Sequence, residues 1–337
     1  MNSRQWLEDL KRSPVKKGLP ILSFPSVSIT GVTVRELVQN SSLQAEGMKA
    51  VADRIPSAAS VSMMDLSVEA EAFGSAIKTF EREVPVVTDE IVQDEKSADA
   101  LKIPHVGDAR TGLFVEAVEK ACKLITDRPV LAGAAGPFSL CGRLMGISKS
   151  MIHCVKNPQM VHTTMKKVTP FLIEYVKAFR DAGANGLIMA EPLTGLLSPK
   201  LAKEFSEPYV KEIIDAVQDD SFIIVYHNCG GSVPRMMDSL LRAGAAAYHF
   251  GNAVSMKDVL TKLPESVIAM GNIDPSSQFC MGTPQSMREA VLSLMKECCP
   301  DFPNFVISSG CDIAVNAKWE NIAAFFDAIE EYNNTAK

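Results

Sequence analysis

Residues 221–231 read "SFIIVYHNCGG": five apolar or aromatic residues run into His227, Asn228 and Cys229 and stop at two glycines. An apolar run of this length, closed by glycine, reads as a strand buried on both faces, the kind that parallel sheets use beneath covering helices. Side chains at i and i+2 share a face, so His227 and Cys229 project together from the strand's end while Asn228 turns away.

The same pattern recurs on both sides. Downstream lie "AAAYHFG" (245–251), "SVIAMGNIDP" (266–275) and "NFVISSGCDI" (304–313). Upstream lie "GANGLIMAEPL" (183–193), "PVLAGAAGPFSL" (129–140), "AASVSMMDLSV" (58–68) and "GLPILSFPSV" (18–27). Helical stretches separate them, including residues near 34–54, 198–218 and 283–299. Ser198-Pro199 and Thr283-Pro284 place an N-cap and an N1 proline at two of these starts. Eight strands alternating with helices predict a (β/α)8 TIM barrel of the α/β class. A helical extension (1–17) precedes it and an insertion or lid falls near 69–128. With no linker and no repeat in view, residues 1–337 read as a single domain. A doubly wound open sheet is the alternative, but no G-x-G-x-x-G follows any of these strands.

Composition narrows the partners. A net charge of −6 and the lack of a Lys/Arg block argue against nucleic acid. The charged start "MNSRQWLEDLKRS" has no apolar signal core, and no run reaches the roughly 20 apolar residues that span a bilayer, so a cytoplasmic protein without a membrane partner is expected. Eight scattered cysteines then read as reduced thiols, and the adjacent Cys298 and Cys299 as packing residues.

Barrel chemistry sits at the C-terminal ends of the strands. Those ends carry Asp65, Glu191, His227 with Cys229, His249, Asn272 with Asp274, and Cys311 with Asp312. Cys311 follows the eighth strand and would have to reach inward across the mouth, since strands five and eight are not neighbours. One nitrogen and two sulfurs suit zinc with an open fourth position. Buried thiols and a satisfied core histidine are the other reading, and spacing alone leaves both open. His105, His153 and His162 read as surface residues, and His249 as either a support to the site or a solvated strand end.

The set "YHNCG", "GNIDP" and "ISSGCDI", with "MMDLSVEAEAFG" and "EPLTGLLSPKLAKEFSEPYVKEI" upstream, resembles the uroporphyrinogen decarboxylase superfamily across nearly the whole chain. Within it the chain looks like the corrinoid-dependent branch, the zinc-containing methylcobamide:coenzyme M methyltransferases. The resemblance implies the barrel and zinc on His227, Cys229 and Cys311. It also implies methyl transfer between a methyl-corrinoid, carried by a corrinoid-binding partner protein, and a small-molecule thiol or other acceptor. Glu191 and Asp274 would then position ligand or substrate or supply a labile fourth ligand; a helix-capping role is the plainer alternative. Asp312 reads as a cap for a helix beginning near 317 or as a ligand-orienting group. Asp65, Glu69 and Glu71 would line the mouth. True decarboxylases of the family carry an arginine-rich segment that grips the tetrapyrrole's carboxylates, whereas no arginine stands between Arg12 and Arg35 here. A metal-free decarboxylase acting on another substrate, and a non-catalytic corrinoid-protein-binding relative, are the competing readings.

Overall fold

The computed structural model describes residues 1–335. Seven parallel strands form one sheet in chain order: β1 (Ser60–Val61), β2 (Val130–Ala135), β3 (Gly186–Ala190), β4 (Ile223–Asn228), β5 (Ala247–Phe250), β6 (Ile268–Ile273) and β7 (Phe305–Ser309). Each pairs with the next, as in Val225 opposite Ala247 and Met270 opposite Val306. Strictly sequential parallel pairing, with a helical connection after each strand, curls the sheet into a (β/α)8-type barrel.

The expected first strand, 18–27, is a correction. Pro20 and Pro25 have no N–H to give a ladder, and Phe24–Ser26 turns into a short 3-10 helix. The segment nevertheless takes the eighth position. Leu19 N–H donates to the Ile307 carbonyl on one side (3.0 Å), and Gly18 accepts from Ala58 N–H on the other (2.9 Å). An extended, ladder-poor stave therefore bridges β7 and the β1 edge.

The period of two sorts each strand into an inner and an outer face. Ile223, Val225 and Ala247 join Leu19, Ile21, Val61, Leu131, Ile188, Ile268, Met270 and Val306 in an apolar interior. Phe222, Ile224, Tyr226, Tyr248 and Phe250 face outward into the layer shared with the helices. The N-terminal extension is a helix, Ser3–Arg12, capped by Asn2. Its Leu7 is buried in the interior cluster, and Arg4 N–H and Ser3 Oγ bond to the carbonyls of Asp220 and Ser221 just ahead of β4. The extension thus stoppers the end of the barrel opposite the strand termini.

Between β1 and β2 the expected insertion is shorter than residues 69–128. Helix Thr111–Leu124 is the barrel's own crossover, packed on helix Ser41–Arg54 and on β2. The irregular part ends near 110 and includes a small antiparallel hairpin, Ile77–Lys78 with Val86–Val87. The two proline-marked caps form as expected: Ser198 accepts from Leu201 N–H, and Thr283 makes a capping box with Ser286. The 198–218 stretch breaks at Ser206 into Pro199–Phe205 and Glu207–Val217, because Pro208 cannot continue a helix as its interior residue but suits a new first turn. No helix among the described residues is long and apolar enough to cross a membrane.

Candidate functional site

His227 sits on the inward face of β4, two residues above Val225, and Cys229 follows just past the strand's end. Cys311 comes from the loop after β7. Their ligand atoms, His227 Nε2 and the two Sγ, all lie within 4.8 Å of one another. Cys311 Sγ is 3.5 Å from His227 Nε2.

Glycines let a residue beyond β7 reach one beyond β4. A Cβ on Gly251, in the loop after β5, would sit 2.5 Å from the Cys229 Cα, and one on Gly310 would sit 2.7 Å from the Asn252 amide nitrogen. Only glycine allows these loop tips to lie so close. Asn272 on β6 holds the intervening loop down, donating to the carbonyls of Gly251 (2.9 Å) and Val254 (2.7 Å).

The donor set fits a tetrahedral zinc ion. Zn–S near 2.3 Å and Zn–N near 2.0–2.1 Å place nitrogen and sulfur about 3.6 Å apart on a tetrahedral edge. The 3.5 Å between Cys311 and His227 matches that edge. His227 is buried while both cysteines are half-exposed, so the sulfurs lie on the mouth side. The thiols share protons unequally. The neighbouring Cys311 sulfur draws Cys229 below the ordinary thiol range, and Cys229 in turn pushes Cys311 up, with burial in the same direction.

His249 is fully buried on β5, directly opposite His227 in the register. Its Nδ1 lies 2.8 Å from His227 Nδ1, and its Nε2 lies 2.8 Å from Ser308 Oγ on β7. Of the two expectations for His249, the solvated strand end is the one corrected, since 247 and 249 share the buried inward face as 225 and 227 do. Ser308 carried no signal in the sequence.

The structure does not bring Glu191 and Asp274 into the cluster of three. Glu191 is completely buried. Its Oε1 accepts from the Phe138 and Ser139 amides (2.6 and 3.2 Å) at the start of helix Pro137–Met145. Its Oε2 accepts from Thr194 Oγ1 (2.7 Å) and Ser139 Oγ (3.3 Å). Burial raises its carboxyl to about 7 against the pull of these donors. Asp274 is half-buried and accepts from Ser276 and Ser277 N–H, capping Pro275–Cys280 beside a cleft of 350 Å³ that Asn252, Asn272 and Gln278 also line. Asp312 caps no helix at 317, since the last helix starts at Trp319; one of its carboxyl oxygens is buried without a partner.

Across the mouth, the loop after β1 carries a second ionic group. Arg110 donates to Asp65 (2.5 Å), Glu71 (2.6 Å) and Ser67 (3.0 Å), and Asp65 also accepts from Ser67. Burial works against the Arg110 charge, and the two carboxylates outweigh it. Glu69 accepts from Ala135 N–H (2.8 Å) at the end of β2, and burial lifts it to about 7. These acidic residues were expected at the mouth; Arg110, 45 positions from Asp65, was not. Of the other histidines, His105 is exposed and His153 half-buried, while His162 bonds to Tyr209 Oη (2.7 Å) and stacks on Phe205.

Comparison with known proteins agrees with this architecture. The chain is 24% identical over 276 residues to the methylcobamide:CoM methyltransferase MtbA of Methanosarcina acetivorans, covering 80% of this chain and 78% of that one. It is 27% identical over 248 residues to the uroporphyrinogen decarboxylase of Christiangramia forsetii, covering 72% and 70%. A solved methyltransferase from Methanosarcina mazei superposes with a TM-score of 0.85 at 21% identity over 98% of each chain, a likeness of fold. The model of the uroporphyrinogen decarboxylase (URO-D) family matches residues 22–332, from the stave that closes the barrel to its last helix, and the chain belongs to that family.

Proposed function

We propose that this protein is a zinc-dependent methyltransferase that moves a methyl group from a methyl-corrinoid, carried by a corrinoid-binding protein, to a small thiol. The convergence of one nitrogen and two sulfurs, from His227, Cys229 and Cys311, within 4.8 Å of one another carries the reading. One histidine and two cysteines would hold the ion and leave its fourth position to the mouth. When bound there, zinc supplies a Lewis acid that keeps an incoming thiol deprotonated at neutral pH, where a free thiol with a pKa near 8.5 is mostly protonated.

The protein's own groups arrange this. Cys229 and Cys311 as cysteinates would offset the ion's charge, so that a thiolate added there would remain electron-rich enough to form a sulfur–methyl bond as the methyl–cobalt(III) bond breaks, its electron pair staying on the corrinoid as cobalt(I). The apolar interior beneath His227 closes the site from below, so acceptor and donor enter from the mouth. Glu191 and Asp274 act as positioning groups. Glu191 ties the start of helix Pro137–Met145 to the end of β3, and Asp274 fixes the turn after β6.

The acceptor is a thiol by this chemistry, and the ligand set does not distinguish coenzyme M from other thiols. The decarboxylase reading lacks the cationic clamp that a polycarboxylate tetrapyrrole needs, since no arginine lies between Arg12 and Arg35. Purified protein mixed with methylcobalamin and a panel of thiols tests the proposal. Loss of the methyl–cobalt absorbance with formation of a methyl thioether supports it. Inertness that persists with a methylated corrinoid protein as donor contradicts it.

A further inference from the structure

The hydrogen bonds behind His227 form a chain whose donors can be assigned one by one. It ends at the Leu19 carbonyl, which can only accept. Ser308 Oγ lies 2.6 Å from that oxygen and donates its single proton there. At its contact with His249 Nε2, 2.8 Å away, Ser308 must therefore accept, so His249 carries its proton on Nε2. His249 is fully buried and its two ring nitrogens face His227 Nδ1 and Ser308 Oγ, so no carboxylate offsets a positive charge there and the ring is neutral. A neutral ring with Nε2–H has a lone pair on Nδ1. His227 Nδ1, 2.8 Å from it, must then donate. The consequence falls at the other end of that ring: His227 Nε2 has no proton, and its lone pair faces Cys311 Sγ.

We infer that His249 is a positioning residue that, with Ser308 and the Leu19 carbonyl, locks His227 in the Nδ1–H tautomer and so presets Nε2 as a metal ligand before any ion arrives. The inference rests on the metal reading proposed above. Its geometry is economical. His227 and His249 are register partners on adjacent strands, so the first contact follows from sheet pairing alone. Ser308 lies on the inward face of β7, in step with the interior Val306. Leu19 belongs to the stave that closes the barrel, and its own N–H is held by Ile307. The tautomer of a mouth residue is thereby tied to closure of the barrel. A carboxylate or carbonyl commonly holds the second nitrogen of a ligating histidine. Here a second imidazole does so, and it can accept only because Ser308 occupies its other nitrogen.

The test uses the full chain without metal, labelled with ¹⁵N-histidine, and long-range ¹H–¹⁵N NMR to read each ring's tautomer. Wild type should show His227 protonated on Nδ1 only. His249→Leu removes the acceptor, and Ser308→Ala, a smaller change, releases the His249 ring; both should introduce the Nε2–H form of His227. Zinc affinity, measured by competition with a chelator, should fall about 10–100-fold in His249→Leu. His249→Asn keeps an acceptor oxygen near the Nδ1 position and should restore most of both signals. A wild-type His227 found protonated on Nε2, or a His249→Leu protein with unchanged tautomer and zinc affinity, would overturn the positioning role while leaving the metal reading intact. A wild type that holds the Nδ1–H tautomer but takes up no zinc would instead overturn the metal reading, and with it the purpose assigned to His249.

Discussion

Sulfur at position 311 and sulfur at position 299 do different things in this protein, though both side chains are half-buried thiols. Cys311 lies beside His227 and Cys229, while Cys299 caps the C-terminal end of helix Pro284–Cys298, ahead of β7. Serine at 311 exchanges a soft, deprotonatable thiol for a hard hydroxyl. Cys311→Ser should therefore lower zinc affinity by more than the roughly 10–100-fold typical of residues that only support a ligand. Cys299→Ser should leave affinity unchanged, and chelator competition on both variants measures the contrast. Equal affinities for Cys311→Ser and wild type would remove Cys311 from the ligand set. Much of this was legible at the residue scale. The H-x-C pair and the distant cysteine were visible as types, and strand periodicity put two of them on one face. Ser308 and Arg110 were not visible, because each acts through a partner on another element with no local pattern to mark it.

Loops and caps decide whether the ligands meet. A methyl group on Gly251 would overlap the Cys229 backbone, so Gly251→Ala should push Cys229 outward. The expected result is a folded barrel by circular dichroism with weakened zinc binding; full affinity would show that the loop has room to spare. Glu191 makes a different prediction. Its carboxyl is raised by folding from 4.5 to about 7. A group raised in this way binds its proton more tightly in the folded state. Its contribution is complete below pH 4.5 and declines as pH rises towards 7. The change across that window is roughly 3 kcal/mol, at about 1.4 kcal/mol per unit. Glu69 declines over the same range and Asp312 is raised by burial as well, so Glu191→Gln, whose amide oxygen can still accept from Phe138 and Ser139, should lessen the loss of stability between pH 4.5 and 7 without abolishing it. An unchanged slope in denaturant titrations at several pH values would contradict this. Capping was partly legible: Ser198 and Thr283 announce their helices. Glu191 did not, because it caps a helix 53 residues away in sequence.

At the scale of the molecule, the barrel was readable because seven apolar runs alternate with amphipathic helices. The eighth misled as a strand because an apolar composition outweighed the two prolines that forbid a ladder. The end opposite the site depends on the N-terminal helix. Leu7 fills the barrel interior from below, and Leu7→Ala should cost about 2–5 kcal/mol, seen as a lower denaturation midpoint with zinc affinity preserved. A change below about 0.5 kcal/mol would mean that the helix only lies against the barrel. The account as a whole turns on whether His227, Cys229 and Cys311 hold zinc and leave a place for a thiol. X-ray absorption at the zinc edge on the purified protein reads this directly. The expected shell is two sulfurs near 2.3 Å with nitrogen near 2.0–2.1 Å, gaining a third sulfur when the acceptor thiol is added. A shell with fewer than two sulfurs, or one that the thiol leaves unchanged, would contradict it.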